Sequence, residues 1–333
     1  MLNKNQIQKV KFFYYLRNTF LLLVPSIFSR TSLQSKLKKI NQYNVKSIKA
    51  RVDYYNQINE AFHLSENSVT SDELFFNQIL KLKKRFINKK PVKKRTTYFF
   101  DLFNVFSFFP KEKKLDYKFG DITYTFPSPT VVKSRPIIHS KNSVILGLNK
   151  VRHFNFVKDP FEFMEKKDMA VWRGYAKNSK KREYFIKNYH DVPIFDIGQH
   201  APNVNKPWSK GYMPISEQLK YKFIFCIEGA DTATNIKWVM SSNSVCVMPQ
   251  PKYETWFMEG KLKPNYHYIC IKDDFSDAEN KIKFFINHPN QTKKIITNAN
   301  DFVKQFKDQK KEKLISLLVL EKYFSYARFQ TRG

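Results

Sequence analysis

The chain has 333 residues, of which 42% are hydrophobic and 16% aromatic, and it carries a formal net charge of +30. The length allows two domains, and so aromatic a composition excludes a chain disordered throughout. The positive excess calls either for anionic partners, such as nucleic acid, an acidic membrane leaflet or phosphorylated ligands, or for nothing more than a solvated lysine surface. Lysine far outnumbers arginine, whereas bidentate forks to bases and phosphates prefer arginine. With no zinc-finger spacing and no RNA-recognition signature, specific nucleic-acid binding is not expected.

Near the amino terminus, Phe20 to Phe28 (FLLLVPSIF) is the most apolar stretch. It falls short of the roughly 20 residues needed to span a bilayer and contains Pro25. The following SIFSRTS is a poor signal-cleavage site. Two readings stand: a basic-flanked helix lying on an anionic membrane, with the Lys36 to Lys39 run beside it, or a hydrophobic helix covered by its own domain. Asn41 to Phe62 shows helical spacing in Val45, Ile48, Val52, Tyr55, Ile58 and Phe62. A second helix is expected over Ser71 to Ile87, capped by Ser71, followed by a basic linker over Lys89 to Arg95.

From Thr96 the pattern reads as short strands and turns: TYFFDLFNVFSFF up to Pro110, DYKFGDITYTF, and PSPTVVKSRPII. From Asp168, DMAVWRG reads as a strand, KNSKKREYFIKNYH as a helix and VPIFDIG as a strand, with a short helix at Ile215 to Leu219. KYKFIFCIEG, ADTATNIKWVMSSN and SVCVMPQ then read as a strand, a helix opened by Asp231, Thr232 and Thr234, and a second buried strand, which is a βαβ unit. HYICIKDDFSD and AENKIKFFINHP add a strand and a helix, and Thr297 to Phe329 reads as one amphipathic helical region. The fold class is α/β, with a helical basic region over 1–95, α/β units over 96–167 and 168–312, and a C-terminal helix over 313–333. Cys226, Cys246 and Cys270 form no CxxC pair and sit in apolar runs. They read as buried free thiols in a reducing, cytoplasmic compartment.

Ligands of open α/β sheets collect at the carboxyl ends of strands. Three such ends carry suitable residues. Gly229 to Lys237 (GADTATNIK) offers a close backbone approach, helix-end N–H groups and a lysine to a diphosphate, or else is an ordinary capped helix. Trp172-Arg173-Gly174, with Arg182 one helix start later, offers arginine to phosphate, or else a surface arginine stacked on Trp172. Phe119-Gly120-Asp121 offers a general base, or else a turn aspartate. No DxD, P-loop, GxGxxG, GxSxG or HExxH is present. A leaving diphosphate would then be neutralised without metal, by lysine, arginine and backbone groups.

The block KYKFIFCIEGADTATNIKWVMSSNSVCVMPQPKYETWFMEGKLKPNYHYICIKDDFSD strongly resembles glycosyltransferase family 90. The LpsA-type bacterial lipopolysaccharide glycosyltransferases look nearest, with animal protein O-glucosyltransferases and fungal capsule-associated xylosyltransferases as further branches. FGDIT…PTVVKSRPI and VWRG…KKREYF match the family's order, so the resemblance covers about residues 96 to 325 and only loosely the first 90. It implies a GT-B fold, two Rossmann-like domains facing a cleft, here with an N-terminal helical extension, the donor being held by the C-terminal domain. It implies inverting transfer from a UDP-sugar co-substrate to a glycan or lipid-linked acceptor, with no cofactor and no metal. Asp121 matches the family's base. Arg173, Gly174, Arg182, Gly229, Thr234, Lys237 and Glu254 fall on the donor side, and Lys133, Arg135 and Trp172 on the acceptor side or cleft. Asn235 stands where the eukaryotic branch has an arginine for the diphosphate. A cytoplasmic enzyme, peripheral on the inner membrane face, is the expectation. The competing expectation is a non-catalytic protein that keeps the fold and binds polyanions or a membrane surface.

Overall fold

Parallel strand pairing dominates the computed structural model, which describes residues 4–23, 26–88, 95–177, 179–200 and 205–328. The chain divides into two compact units, one made of 1–13 and 151–307 and the other of 14–150 and 308–333. These boundaries differ from those read in the sequence. Residues 14–95 share a unit with 96–150, and the last helix returns to them. The basic linker over 89–94, Val24 and Pro25 within the apolar stretch, and 329–333 lie outside the described residues.

The unit containing 151–307 is built on a five-stranded sheet. Its strands lie in the order Ile269–Cys270, Val245–Met248, Tyr221–Phe225, Lys167–Gly174 and Phe195–Gln199, all parallel. The two central runs, Tyr221–Phe225 and Val245–Met248, are buried at every residue. Such continuous apolar runs, rather than alternating ones, mark a sheet covered on both faces. The helix Lys180–Tyr189 is capped by Ser179, whose hydroxyl accepts the Arg182 N–H. It buries Phe185 and Ile186 against Trp172, Phe225 and Phe275. Strand, helix and strand alternate as expected of an α/β unit.

The unit containing 14–150 carries a three-stranded parallel sheet of Tyr117–Lys118, Thr130–Val132 and Ser143–Ile145. Around it are the helices Val45–Tyr55, Ser71–Asn88, Thr96–Phe106 and Gln309–Tyr326. Phe62–His63 pairs in parallel with Ala327–Arg328, tying the two ends of the unit together.

Four expected elements form differently. The run over 96–106 is a helix, not a strand. Its aromatic residues suit strands by propensity, but Phe99, Leu102 and Phe106 recur at helical spacing and are buried together. The helix expected over 41–62 spans only Val45–Tyr55. At Asn56 the side chain donates to the Val319 carbonyl at 3.1 Å and accepts the Ile58 N–H at 3.1 Å, so side-chain bonds replace the next helical turn. The helix expected from Asp231 is confined to the four residues Ile236–Val239. The terminal helical region breaks into Pro289–Lys304 and Gln309–Tyr326, the second capped by Asp308.

Within this unit Arg51 donates to both carboxylate oxygens of Glu312, at 2.6 and 3.0 Å, and to the Tyr55 hydroxyl at 2.8 Å, with both charged side chains buried. Breaking one partner of such a pair costs about 3–5 kcal/mol, whereas replacing both by apolar groups is often neutral. Arg51→Met is therefore expected to lower the urea unfolding midpoint sharply, and Arg51→Met/Glu312→Met to recover most of the loss.

Candidate active site

At the carboxyl edge of the five-stranded sheet, the side chain of Arg182 reaches back across the strand ends. Its Nε and Nη2 donate to the Ile227 carbonyl at 3.1 and 2.7 Å, and Nη1 donates to the Tyr175 carbonyl at 3.2 Å. The guanidinium lies directly against Gly229. A Cβ there would sit 2.8 Å from Cζ and 2.9 Å from both terminal nitrogens, so any larger residue must push the guanidinium aside. Burial lowers the pKa of Arg182, with Asp231 and Glu228 pulling the other way. A guanidinium nevertheless keeps its proton in proteins. The result is a fixed, largely desolvated positive charge under a glycine loop, where anions are most strongly attracted.

Next to Gly229, Glu228 joins Lys181, Thr232, Pro251 and Tyr253 in lining a hollow of about 10 Å³, room for about one water, which Arg182 itself does not line. Lys181 and Lys252 pair with opposite oxygens of Asp273, at 2.8 and 3.0 Å. Glu228 accepts the N–H groups of Lys252 and Tyr253, at 3.0 and 3.3 Å, which fixes the 249–253 loop beside the glycine. Burial raises the Glu228 pKa against those two hydrogen bonds. The Thr232 hydroxyl is buried with no hydrogen-bond partner among the described residues. Among those residues no three His, Cys, Asp or Glu side chains converge as metal ligands would.

Residues expected on the donor side divide into two groups. Arg182 and Gly229 come together as described, with Thr234 half-buried in the following loop. Arg173 is committed elsewhere. Its Nη2 meets Asp196 at 2.7 Å, and its Nη1 donates to the Asp196 and Trp172 carbonyls on the neighbouring and its own strand. Gly174 lies against the Trp172 ring, and that ring is buried against Phe185 rather than open to an acceptor. Lys237 is 0% exposed and pairs with Glu259 at 2.6 Å, while Glu259 also accepts the Thr255 N–H at 2.6 Å. It is an interior ion pair, not a hand held out to phosphate. Asn235 donates to the Phe225 carbonyl at 2.9 Å and so closes the loop on its own strand. Glu254 is buried in the Tyr253–Thr255 strand.

In the other unit, Asp121 follows Gly120, whose φ of +130° suits glycine alone. Lys133, itself buried, holds the Oδ1 atom of Asp121, whose side chain remains 37% exposed. Arg135 is fully buried and donates to the Tyr54, Tyr55 and Ser143 carbonyls, at 2.7, 3.3 and 2.9 Å. Its visible work is to join the Val45–Tyr55 helix to the sheet.

The description "Glycosyl transferase family 90" matches residues 85–331. The chain belongs to glycosyl transferase family 90. It is 37% identical over 325 residues to "O-glucosyltransferase LpsA" of Dichelobacter nodosus, with 96% of each chain covered. It is also 24% identical over 148 residues to "Protein O-glucosyltransferase 2" of Danio rerio, covering 42% of this chain and 29% of that one. A third relative, "Uncharacterized protein 179R" of Invertebrate iridescent virus 6, is 26% identical over 136 residues, 39% of this chain and 11% of that one. The enzyme is a glycosyltransferase.

Sequence reasoning missed Lys181, Lys252, Glu228 and Tyr253 in this family 90 enzyme. Lys181 stands beside Arg182 and shares its helix, so the signal was present. The 249–253 residues carried none, because the loop joins the site through tertiary contacts, the hydrogen bonds of Glu228 and the Lys252–Asp273 pair.

Two outcomes are expected. Gly229→Ala must displace the Arg182 guanidinium, and kcat/KM for sugar transfer should fall by about a hundredfold, as when one fixed charge-stabilising donor is lost, while the thermal melt shows a folded protein. Asp196 is pushed up by burial, but hydrogen bonds from Arg173, Tyr221 and Lys210 outweigh this and hold its pKa at about 2. A depressed carboxylate stabilises above its unfolded pKa and loses that contribution as pH falls towards the folded one. Asp196→Asn should therefore cost roughly 2 kcal/mol at pH 7, with wild type and variant converging in chemical denaturation as the pH approaches 2.

Proposed function

We propose that the enzyme transfers a glucosyl group from a UDP-sugar to a hydroxyl of a glycan or lipopolysaccharide-type acceptor, with inversion and without a metal ion. The observation that carries this reading is the Arg182 guanidinium fixed under Gly229 at the strand ends, with Lys181 and Lys252 close by. These groups suit the charge that develops on a departing diphosphate. The sugar and the oxygen acceptor rest on the name of the Dichelobacter nodosus relative, which aligns along nearly the whole chain. A GT-B arrangement of two Rossmann-like domains is part of the same proposal, supported by the parallel sheet in each unit.

In this mechanism Asp121 takes the proton of the acceptor hydroxyl, and that oxygen attacks the anomeric carbon. The bond from that carbon to the diphosphate oxygen breaks on the opposite face, so configuration inverts. The nucleoside diphosphate leaves with its charge compensated by Arg182 and the neighbouring lysines. Lys133 holds the Asp121 carboxylate in place. The enzyme is placed in the cytoplasm, peripheral on the inner face of the membrane, where its excess of positive charge meets anionic lipid.

Thermal shift against UDP-, GDP- and CMP-sugars tests the donor. UDP-glucose at a hundred times its Kd should stabilise the fold by about 2.7 kcal/mol, with the GDP and CMP sugars near zero. Asp121→Asn should abolish transfer and keep that UDP-glucose shift, and EDTA should leave the rate unchanged. Full transfer by Asp121→Asn would remove the aspartate from the role of base.

A further inference from the structure

The helix Lys4–Leu23 contains no acidic residue, and from residue 14 onward it leaves Leu16, Phe20 and Leu21 exposed, Phe20 at 66%. The helix Ser71–Asn88 likewise exposes Phe76 (at 62%), Ile79 and Leu80, and its acidic residues are confined to the first turn. Both helices rest on the helix Thr96–Phe106: Tyr14 and Tyr15 meet Phe100, and Phe75 meets Phe103. Exposed aromatic and aliphatic rows of this kind, flanked by bases, are what an interfacial helix offers a bilayer.

Beside the first of these helices lies a group of cations. Lys36 and Lys313 both place their ammonium over the one Phe108 ring, at 5.4 and 4.4 Å from its centroid. The buried Asp101 accepts the Tyr14 hydroxyl at 3.0 Å and the Lys150 N–H at 2.8 Å, which draws Lys150 to the helix that carries Arg17 one turn past Tyr14. None of Arg17, Lys36, Lys150 and Lys313 forms an ion pair with a described residue. Partial burial, with Lys36, Lys150 and Arg17 adding their charge, holds the Lys313 pKa down at about 8. Like charges gathered without a carboxylate partner repel one another, and an anion brought among them relieves that repulsion.

We propose that Arg17, Lys36, Lys150 and Lys313 form a binding site for the phosphate headgroups of an anionic phospholipid bilayer, into whose interface Leu16, Phe20 and Leu21 insert. This rests on the membrane-surface part of the reading above and names the residues that would carry it. Arg17 lies three and four residues before Phe20 and Leu21 on its helix, so headgroup contact and insertion come from one side of it.

Vesicle flotation tests it with the full chain and no donor sugar. Wild type should bind phosphatidylcholine vesicles containing phosphatidylglycerol and not phosphatidylcholine alone. Arg17→Gln/Lys36→Gln/Lys313→Gln should bind about a hundredfold more weakly. Lys187→Gln/Lys293→Gln/Lys307→Gln, which removes the same net charge from exposed positions of the other unit, should bind as wild type. Leu16→Ser/Phe20→Ser should also lose binding. Equal weakening in both lysine sets would reduce the effect to net charge and overturn the site. So would undiminished binding by the first set, or displacement of the protein from vesicles by millimolar pyrophosphate at constant ionic strength, which would make the site one for soluble anions. UDP-glucose hydrolysis needs no membrane and should be unchanged in the first set, so a failed membrane site and a failed transferase mechanism give different results.

Discussion

Everything at the candidate active site turns on one contact, the Arg182 guanidinium lying against the backbone of Gly229. The strand Tyr221–Phe225 delivers Ile227 and Gly229 to the sheet edge, and the Ser179 cap starts the helix that delivers Arg182. Two hydrogen bonds to the Ile227 carbonyl then fix the charge where a side chain at residue 229 would exclude it. A cation held in this way needs little reorganisation when an anion arrives, and preorganisation of that kind is the main physical source of electrostatic catalysis.

Apart from partly exposed pairs such as Lys181 and Lys252 with Asp273, two populations of positive charge stand out. In the interior, cations are consumed by structure: Lys237 by Glu259, Arg51 by Glu312, and Lys166 by Asp159 at 2.7 Å. Each of those pairs is buried on both sides, and losing one partner would strand the other away from water. Elsewhere cations stand without carboxylate partners among the described residues, as do Lys36 and Lys313 over Phe108. A net charge of +30 is therefore a poor guide to function until each lysine is assigned to one population or the other.

The N-terminal helices show the same division for apolar groups. Ile48, Val52 and Tyr55 are buried and hold the Val45–Tyr55 helix to its unit. Phe20 and Phe76 are not, although their sequence neighbourhoods are at least as apolar. Hydrophobicity sets how much surface must be hidden. Tertiary contact decides how much of it the protein hides by itself.

The sequence by itself determined the α/β class, the strand and helix order from Asp168 to Asn287, and the family, because fully apolar strands, capped helices and separated motifs are local signals that burial reinforces. It also singled out Asp121, Arg182 and Gly229 as candidates. Only the tertiary structure decided that the aromatic run at 96–106 is helical, that the helix after Gly229 is a single turn, and that Lys237 and Arg173 serve the interior. For Lys237 and Arg173 the reason is the same. A lysine or arginine near a strand end reads the same whether a carboxylate or water faces it, and here Glu259 and Asp196, 22 and 23 residues away along the chain, make that choice.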